Sequence, residues 1–201
     1  MPWIFGPEFP GHPKRVEMKE LRSFDVPTRA KAFKARTEAF FLKQVDVLRV
    51  HPPWAPFPLA VLTCVGIEMI GSYKYGDARG HSNDHFKRFA QDMDPGFSEI
   101  KLAPGGANQK LSYFLYQAFR NSLAHGFYGK WVFITHKKSE TKTFKYSASK
   151  RFLVLNVYWF YQRFREECEA YLASLAAATD PSVDPLEIFN KTFEKNFALW
   201  V

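Results

Sequence analysis

Leu59-Ala60-Val61-Leu62-Thr63-Cys64-Val65-Gly66-Ile67-Glu68-Met69-Ile70-Gly71-Ser72-Tyr73 holds one charge, Glu68, and no proline. Its apolar residues wrap nearly the whole circumference of a helix, so the stretch predicts the most buried helix of the fold. Gly66 and Gly71 lower helix propensity, which implies close approach of another helix at those points. A helix of this kind needs neighbours on several sides, and the flanking sequence offers them mainly as further helices.

Upstream, residues 28–50 contain helix formers and no proline, with Thr28 as the expected N-cap. Ala32, Phe33, Phe40, Phe41, Val45 and Leu48 supply an apolar face, and Lys31, Lys34, Arg36, Glu38 and Lys43 the solvated one. His51-Pro52-Pro53-Trp54-Ala55-Pro56-Phe57-Pro58 is a corner. Downstream, residues 84–93 predict a short helix with Phe86 and Phe89 inward. Residues 94–107 predict loop, rich in proline and glycine. Residues 108–124 predict a strong helix with Leu111, Phe114, Leu115, Ala118 and Phe119 as its stripe.

Beyond Gly126 the pattern changes. Trp131-Val132-Phe133-Ile134-Thr135 and Thr141-Lys142-Thr143-Phe144-Lys145-Tyr146 are rich in β formers and flank Lys137-Lys138-Ser139-Glu140. They predict a β-hairpin over about 130–147. A long helix is expected over 149–177, and a last one over 184–200 with Phe189, Phe193, Phe197 and Trp200 as its stripe. The expected fold class is all-α, an antiparallel up-and-down bundle of four to five main helices with a β-hairpin insertion. The expected organisation is an extended proline-rich arm over 1–27, a helical domain over 28–178, and a C-terminal helix over 179–201 packing on the domain or on a second subunit.

The chain has 201 residues, 46% hydrophobic and 24% charged, which suits a packed globular core. Twenty-one phenylalanines point to a core built on Phe. Lys and Arg exceed Asp and Glu by 28 to 20, a net charge of +8 that favours polyanionic partners. Two cysteines, Cys64 and Cys168, rule out a disulfide scaffold and a cysteine zinc site, and suit a reducing, cytoplasmic setting. The N-terminus lacks the pattern of a signal peptide. The longest apolar run, 55–70, is interrupted by Glu68 and too short for a membrane span, so no membrane is expected.

Arg120-Asn121-Ser122-Leu123-Ala124-His125 closes the 108–124 helix, and Gly126 follows. Arginine stays charged and clamps phosphate; histidine moves protons near neutral pH. Together they offer what metal-free RNA cleavage needs. Cations in a last helical turn also complement the helix dipole, and glycine is an ordinary C-cap, so a purely structural role stays open. Five residues apart on a regular helix, Arg120 and His125 diverge by about 140°. Either the helix unwinds before Gly126, or the working pair forms between subunits. Asn121, four residues before His125, shares its face and can orient it.

The motif resembles the Arg-x4–6-His signature of the HEPN superfamily, the higher eukaryote and prokaryote nucleotide-binding domains. The polar Asn121 after the arginine and the position at a helix end both fit. Ile67-Glu68-Met69-Ile70-Gly71, Phe86-Lys87-Arg88-Phe89 and Tyr113-Phe114-Leu115-Tyr116 resemble the run of elements in bacterial members, over about residues 55–175. The resemblance implies a metal-independent ribonuclease, often a toxin, anti-phage or stress-response enzyme, needing no cofactor. It also implies a homodimer whose two motifs face each other, acting on RNA, with an antitoxin or other regulatory protein as a further partner. Some relatives are non-catalytic modules that bind nucleotide, RNA or protein, and that alternative stands beside the enzyme. Where one toxin branch has a tyrosine two residues after the histidine, this chain has Phe127, with Tyr128 next.

Tyr128 and Lys130 are supporting candidates for RNA contact, against packing or solvated surface. Glu68 is a supporting candidate for orienting Arg120, against a satisfied buried carboxylate. His81 and His85 have helical metal spacing but lack a third ligand, so no metal is expected. Residues 103–108 are glycine-rich without the ending of a phosphate-binding loop. Lys137, Lys138, Lys142 and Lys145, near Trp131 and Phe133, are either a solvated surface or an RNA-gripping arm.

Overall fold

A computed structural model describes residues 18–50, 56–76, 82–102, 106–117 and 132–197. The protein is mostly helical and carries two small sheets. Most of the proline-rich arm lies outside the described residues. Its last part is not extended: Met18–Ser23 is a 3-10 turn, and Leu21 is fully buried.

The first long helix starts two residues before the expected Thr28. Asp25 is the cap, its carboxylate accepting from the Thr28 N–H at 2.7 Å, and Pro27 sits in the first turn. The rod has three parts: α1 (Val26–Arg36), a π-helical turn (Thr37–Leu42) and α2 (Lys43–Val50). In the turn the Lys43 N–H donates to the Glu38 carbonyl, five residues back. The single apolar face expected over 28–50 is broken there, and Phe40 is 57% exposed.

The charge-poor stretch over 59–73 is α3 (Pro56–Tyr75), longer than expected at both ends. Pro56 and Pro58 sit in its first turn, where their missing N–H groups cost nothing. Among the described residues it is the one helix long and apolar enough to cross a membrane, by length and composition alone; half of its most apolar window is buried within the protein. It packs against α2, α4 (Ser82–Met93), α6 (Val157–Ala177) and α7 (Leu186–Phe197).

Both helical glycines mark close approaches. A Cβ on Gly66 would stand 2.6 Å from Phe164 Cζ of α6 and 2.7 Å from Phe41 Cε1, and one on Gly71 would stand 3.1 Å from the His85 carbonyl oxygen of α4. Gly66→Ala therefore forces aside the buried Phe164 ring and the half-buried Phe41 ring. It is expected to destabilise by about 1–3 kcal/mol, read as a lower urea midpoint at unchanged slope.

Helix α6 buries Val157, Phe160, Tyr161, Phe164, Cys168, Tyr171, Leu172 and Leu175, a stripe of threes and fours. The Tyr161 hydroxyl lies 3.1 Å from both the Leu42 carbonyl at the end of the π turn and Asp46 Oδ1, joining α6 to the first rod. Helix α7 docks on α3 and α1. Its Phe189 ring lies 5.4 Å from Phe33 and 5.7 Å from Tyr73. Arg29 links three segments: it donates to the carbonyls of Leu21 and Arg22, to Asn190 at 3.1 Å, and to Glu194. Of the terminal aromatic stripe, Phe189 and Phe193 are buried, and Trp200 lies outside the described residues.

The β structure corrects two expectations. Residues 94–107 are not loop throughout: β1 (Ile100–Leu102) pairs antiparallel with β2 (Asn108–Lys110), and α5 (Leu111–Tyr116) begins only after β2. More consequentially, β3 (Val132–Thr135) and β4 (Phe144–Ser147) do not form the expected hairpin. Between them lies β5 (Phe152–Asn156), parallel to β3 and antiparallel to β4. Phe152-Leu153-Val154-Leu155 is too short an apolar run for periodicity to separate strand from helix, and strand partners on both sides decide it. The expected turn is present at Lys138–Ser139, and buried Asn156 holds it. Its amide donates to the carbonyls of Lys137 and Glu140 at 2.9 and 3.0 Å, and its carbonyl accepts from the Lys137 N–H at 3.2 Å. The 137–140 segment is thereby tied to the end of β5. The true hairpin is β4–β5, closed at residues 148–151 with Arg151 at φ 54°.

Candidate functional site

Helix α5 leads into the Arg120–His125 motif and is anchored from below. Leu111, Ser112, Phe114 and Leu115 are buried, and the helix packs on α4. Gln91 Nε2 donates to Ser112 Oγ at 2.9 Å, and the Phe86 and Tyr116 rings meet edge to face at 5.4 Å. On the other side Lys87 lies over the Tyr113 ring at 5.3 Å, and Gln117 Nε2 donates to the Tyr113 hydroxyl at 2.9 Å. The next described residue is Val132, at the start of β3.

Arg120, Asn121, His125, Tyr128 and Lys130 all lie outside the described residues, as do Trp131 and His81. Glu68 is described: it is half-buried on α3, one turn beyond Cys64. Burial, with a smaller contribution from the Glu68 charge, pushes the Cys64 thiol well above the usual range. Cys168 is raised in the same way, first by burial. Neither thiol is a nucleophile at neutral pH. His85 is buried on α4 with its ring 6.3 Å from that of Tyr75, and among the described residues no group of His, Cys, Asp and Glu is arranged to hold a metal ion.

Two polar clusters escaped the sequence reading. In the first, α3, α4 and α6 meet at Lys74, whose ammonium donates to Asp92 at 2.5 Å and Glu167 at 2.7 Å, while the Tyr75 hydroxyl donates to Asp92. Burial disfavours the Lys74 charge, but its two carboxylate partners outweigh that and hold its pKa above the ordinary lysine value. Arg88 lies 4.2 Å above the Tyr75 ring. With its lysine matched by two acids, this cluster is a pin between helices.

The second cluster stands where α2, the segment after β3 and the start of α6 converge. His136 Nε2 lies 3.2 Å from the Arg49 carbonyl. The Arg49 guanidinium and the Lys138 ammonium both lie over the Tyr158 ring, at 5.2 and 5.6 Å, and Trp159 Nε1 donates to the Lys138 carbonyl at 3.3 Å. These contacts join distant segments, so no local pattern announces them. What the sequence does show is the charge. From residue 132 to 156 there are six lysines and arginines and one acid, Glu140. Lys137 and Lys145 bind Glu140 at 2.8 Å each and hold its carboxyl down at about 2.

Comparison of the chain with protein-family models, with curated proteins and with solved structures gives no match.

Proposed function

We propose that this protein is a metal-independent endoribonuclease of the HEPN type, working as a homodimer with a composite site. The observation that carries the proposal is the Arg120-Asn121-Ser122-Leu123-Ala124-His125-Gly126 motif, immediately downstream of a core-anchored helix in a mostly helical, basic chain. RNA brings its own nucleophile, so a metal is not needed to generate one. The 2′-hydroxyl loses its proton and its oxygen attacks phosphorus. The bond from phosphorus to the 5′-oxygen breaks, and that oxygen takes up a proton. His125 supplies the proton transfer, Arg120 balances the charge that builds on the pentacoordinate phosphorus, and Asn121 orients them. The product carries a 2′,3′-cyclic phosphate and a free 5′-hydroxyl.

The angle between the two positions favours two subunits. About 140° of divergence on a regular helix keeps Arg120 and His125 of one chain from converging, whereas motifs paired across a two-fold axis can exchange partners. Purified protein incubated with mixed single-stranded RNA in excess EDTA is expected to cleave it, leaving cyclic phosphate ends that resist phosphatase until opened by acid. Cleavage abolished by EDTA, or products bearing 5′-phosphate, would overturn the reading.

A further inference from the structure

We propose that the outer face of the β3–β5–β4 sheet is a base-stacking platform for single-stranded RNA. Phe133 and Phe152 serve as its rings, and Lys150 and Arg151 as its contacts to the phosphate backbone. The proposal rests on RNA being the substrate of the Arg120–His125 motif and assigns the surface that holds the strand.

Strand alternation separates the two faces of this sheet. Val132, Leu153 and Leu155 are buried, and Ile134, Phe144 and Tyr146 pack against the core from the same side. The opposite face carries Phe133, Phe152, Val154 and Lys145. Phe133 and Lys145 each stand opposite Val154 in the register, so ring, aliphatic and ammonium form one row across the three strands. Phe152 stands in the next row on the central strand. The Phe133 and Phe152 rings meet edge to face, with centroids 4.7 Å apart, while Phe133 remains 59% exposed. One exposed phenylalanine is ordinary. A fixed aromatic pair on the solvent side of a sheet is how single-stranded RNA is commonly held, because every base has a face to stack.

Charge decides the occupant. Lys142, Lys145, Lys150 and Arg151 are all exposed in or beside the strands, Lys145 paired with Glu140, and residues 132–156 carry a net +5 of the chain's +8. A second copy docked here about a two-fold axis would set that charge against itself, whereas a phosphate backbone neutralises it. Arg151 adds a backbone observation: it closes the hairpin at φ 54°, where glycine or asparagine would be cheaper, yet the residue there is a long cation.

The topology also links the platform to the motif. Because β3 runs parallel to β5, with Val132 opposite Leu153, the chain enters β3 at the end of the sheet where the 148–151 turn lies. His125 is seven residues before Val132, a span of at most about 25 Å fully extended. Chain length therefore allows one strand to reach from the platform to the residue proposed to move the proton.

The test measures fluorescence anisotropy of a 5′-labelled single-stranded RNA 12-mer and of its duplex, using full-length His125→Ala protein so that the probe is not cut. Phe133→Ala in that background is expected to weaken single-strand binding by about tenfold or more and to leave duplex binding unchanged, because paired bases are unavailable for stacking. Phe133→Trp restores affinity. Lys150→Gln with Arg151→Gln lowers the single-strand salt slope by about 1.4. The proposal is overturned by no single-strand binding, by unchanged binding in Phe133→Ala, or by equal losses on single strand and duplex. It is overturned as well if Phe133→Ala splits a dimer without affecting RNA. Failure of the nuclease reading looks different: the unmutated protein then leaves RNA intact while the Phe133 effect on binding persists.

Discussion

On the proposed ribonuclease reading, His125→Ala is expected to slow RNA cleavage by about 10²- to 10⁴-fold, the usual contribution of a positioned acid–base group, and to leave RNA affinity nearly unchanged. Arg120→Ala is expected to cost about 10²- to 10³-fold through lost stabilisation of the phosphorane, and to weaken binding as well through loss of the proposed phosphate contact. Composite sites make a sharper forecast. If the working pair is Arg120 of one subunit with His125 of the other, a heterodimer of the two single mutants holds one intact site and one lacking both groups. Dissociating and re-mixing the two inactive proteins in equal amounts then restores about a quarter of the wild-type rate, since half of the dimers are heterodimers with one of two sites working. Steady-state cleavage of a fluorogenic RNA before and after mixing reads this directly. No recovery on mixing would place the pair within one chain, and equal activity of wild type and both mutants would remove the motif from the chemistry.

Phe164→Ala is expected to produce the largest loss of stability among single changes in the described core. Phe164 is fully buried, and its ring lies 6.0 Å from those of Phe41 and Phe89 and 6.1 Å from that of Tyr161. Those residues belong to the π turn, to α4 and to α6, and Phe164 also fills the space that Gly66 leaves on α3. Removing the ring opens a cavity that four rigid elements cannot close together. The cost is about 3–5 kcal/mol, or on the order of 10 °C in Tm for a chain of this length. Chemical denaturation checks the value. Adding Gly66→Ala to Phe164→Ala should cost less than the sum of the two single changes, because the new methyl enters the space the ring vacated.

The helices and their tight contacts were legible in the sequence because their signals are local. A fifteen-residue stretch with one charge had to be a core helix, and Gly66 and Gly71 had to mark close approach because nothing else explains glycine in its middle. The long helix expected over 149–177 begins only at Val157, after β5, and ends at Ala177 as expected. What stayed hidden depended on partners distant in sequence. Phe152–Leu155 became a strand only because β3 and β4 flank it, and the turn at Lys138–Ser139 joins no hairpin because β5 stands between those two strands. The reading of Arg120–His125 rests on residue types and spacing alone, since those residues lie outside the described ones. The Phe133–Phe152 pair was not, since nineteen residues and a parallel register separate the two rings.

The π turn at Thr37–Leu42 has a consequence for how many neighbours one rod can serve. One additional residue in a helical turn rotates everything downstream by about 100° relative to everything upstream. Before the turn, α1 lies against α6 and α7; after it, α2 lies against α3. A loop would give the same change of direction, but it would leave backbone groups to be satisfied elsewhere and would add freedom to be lost on folding. Here the main chain stays hydrogen-bonded throughout, and a slip in phase does the work of a hinge.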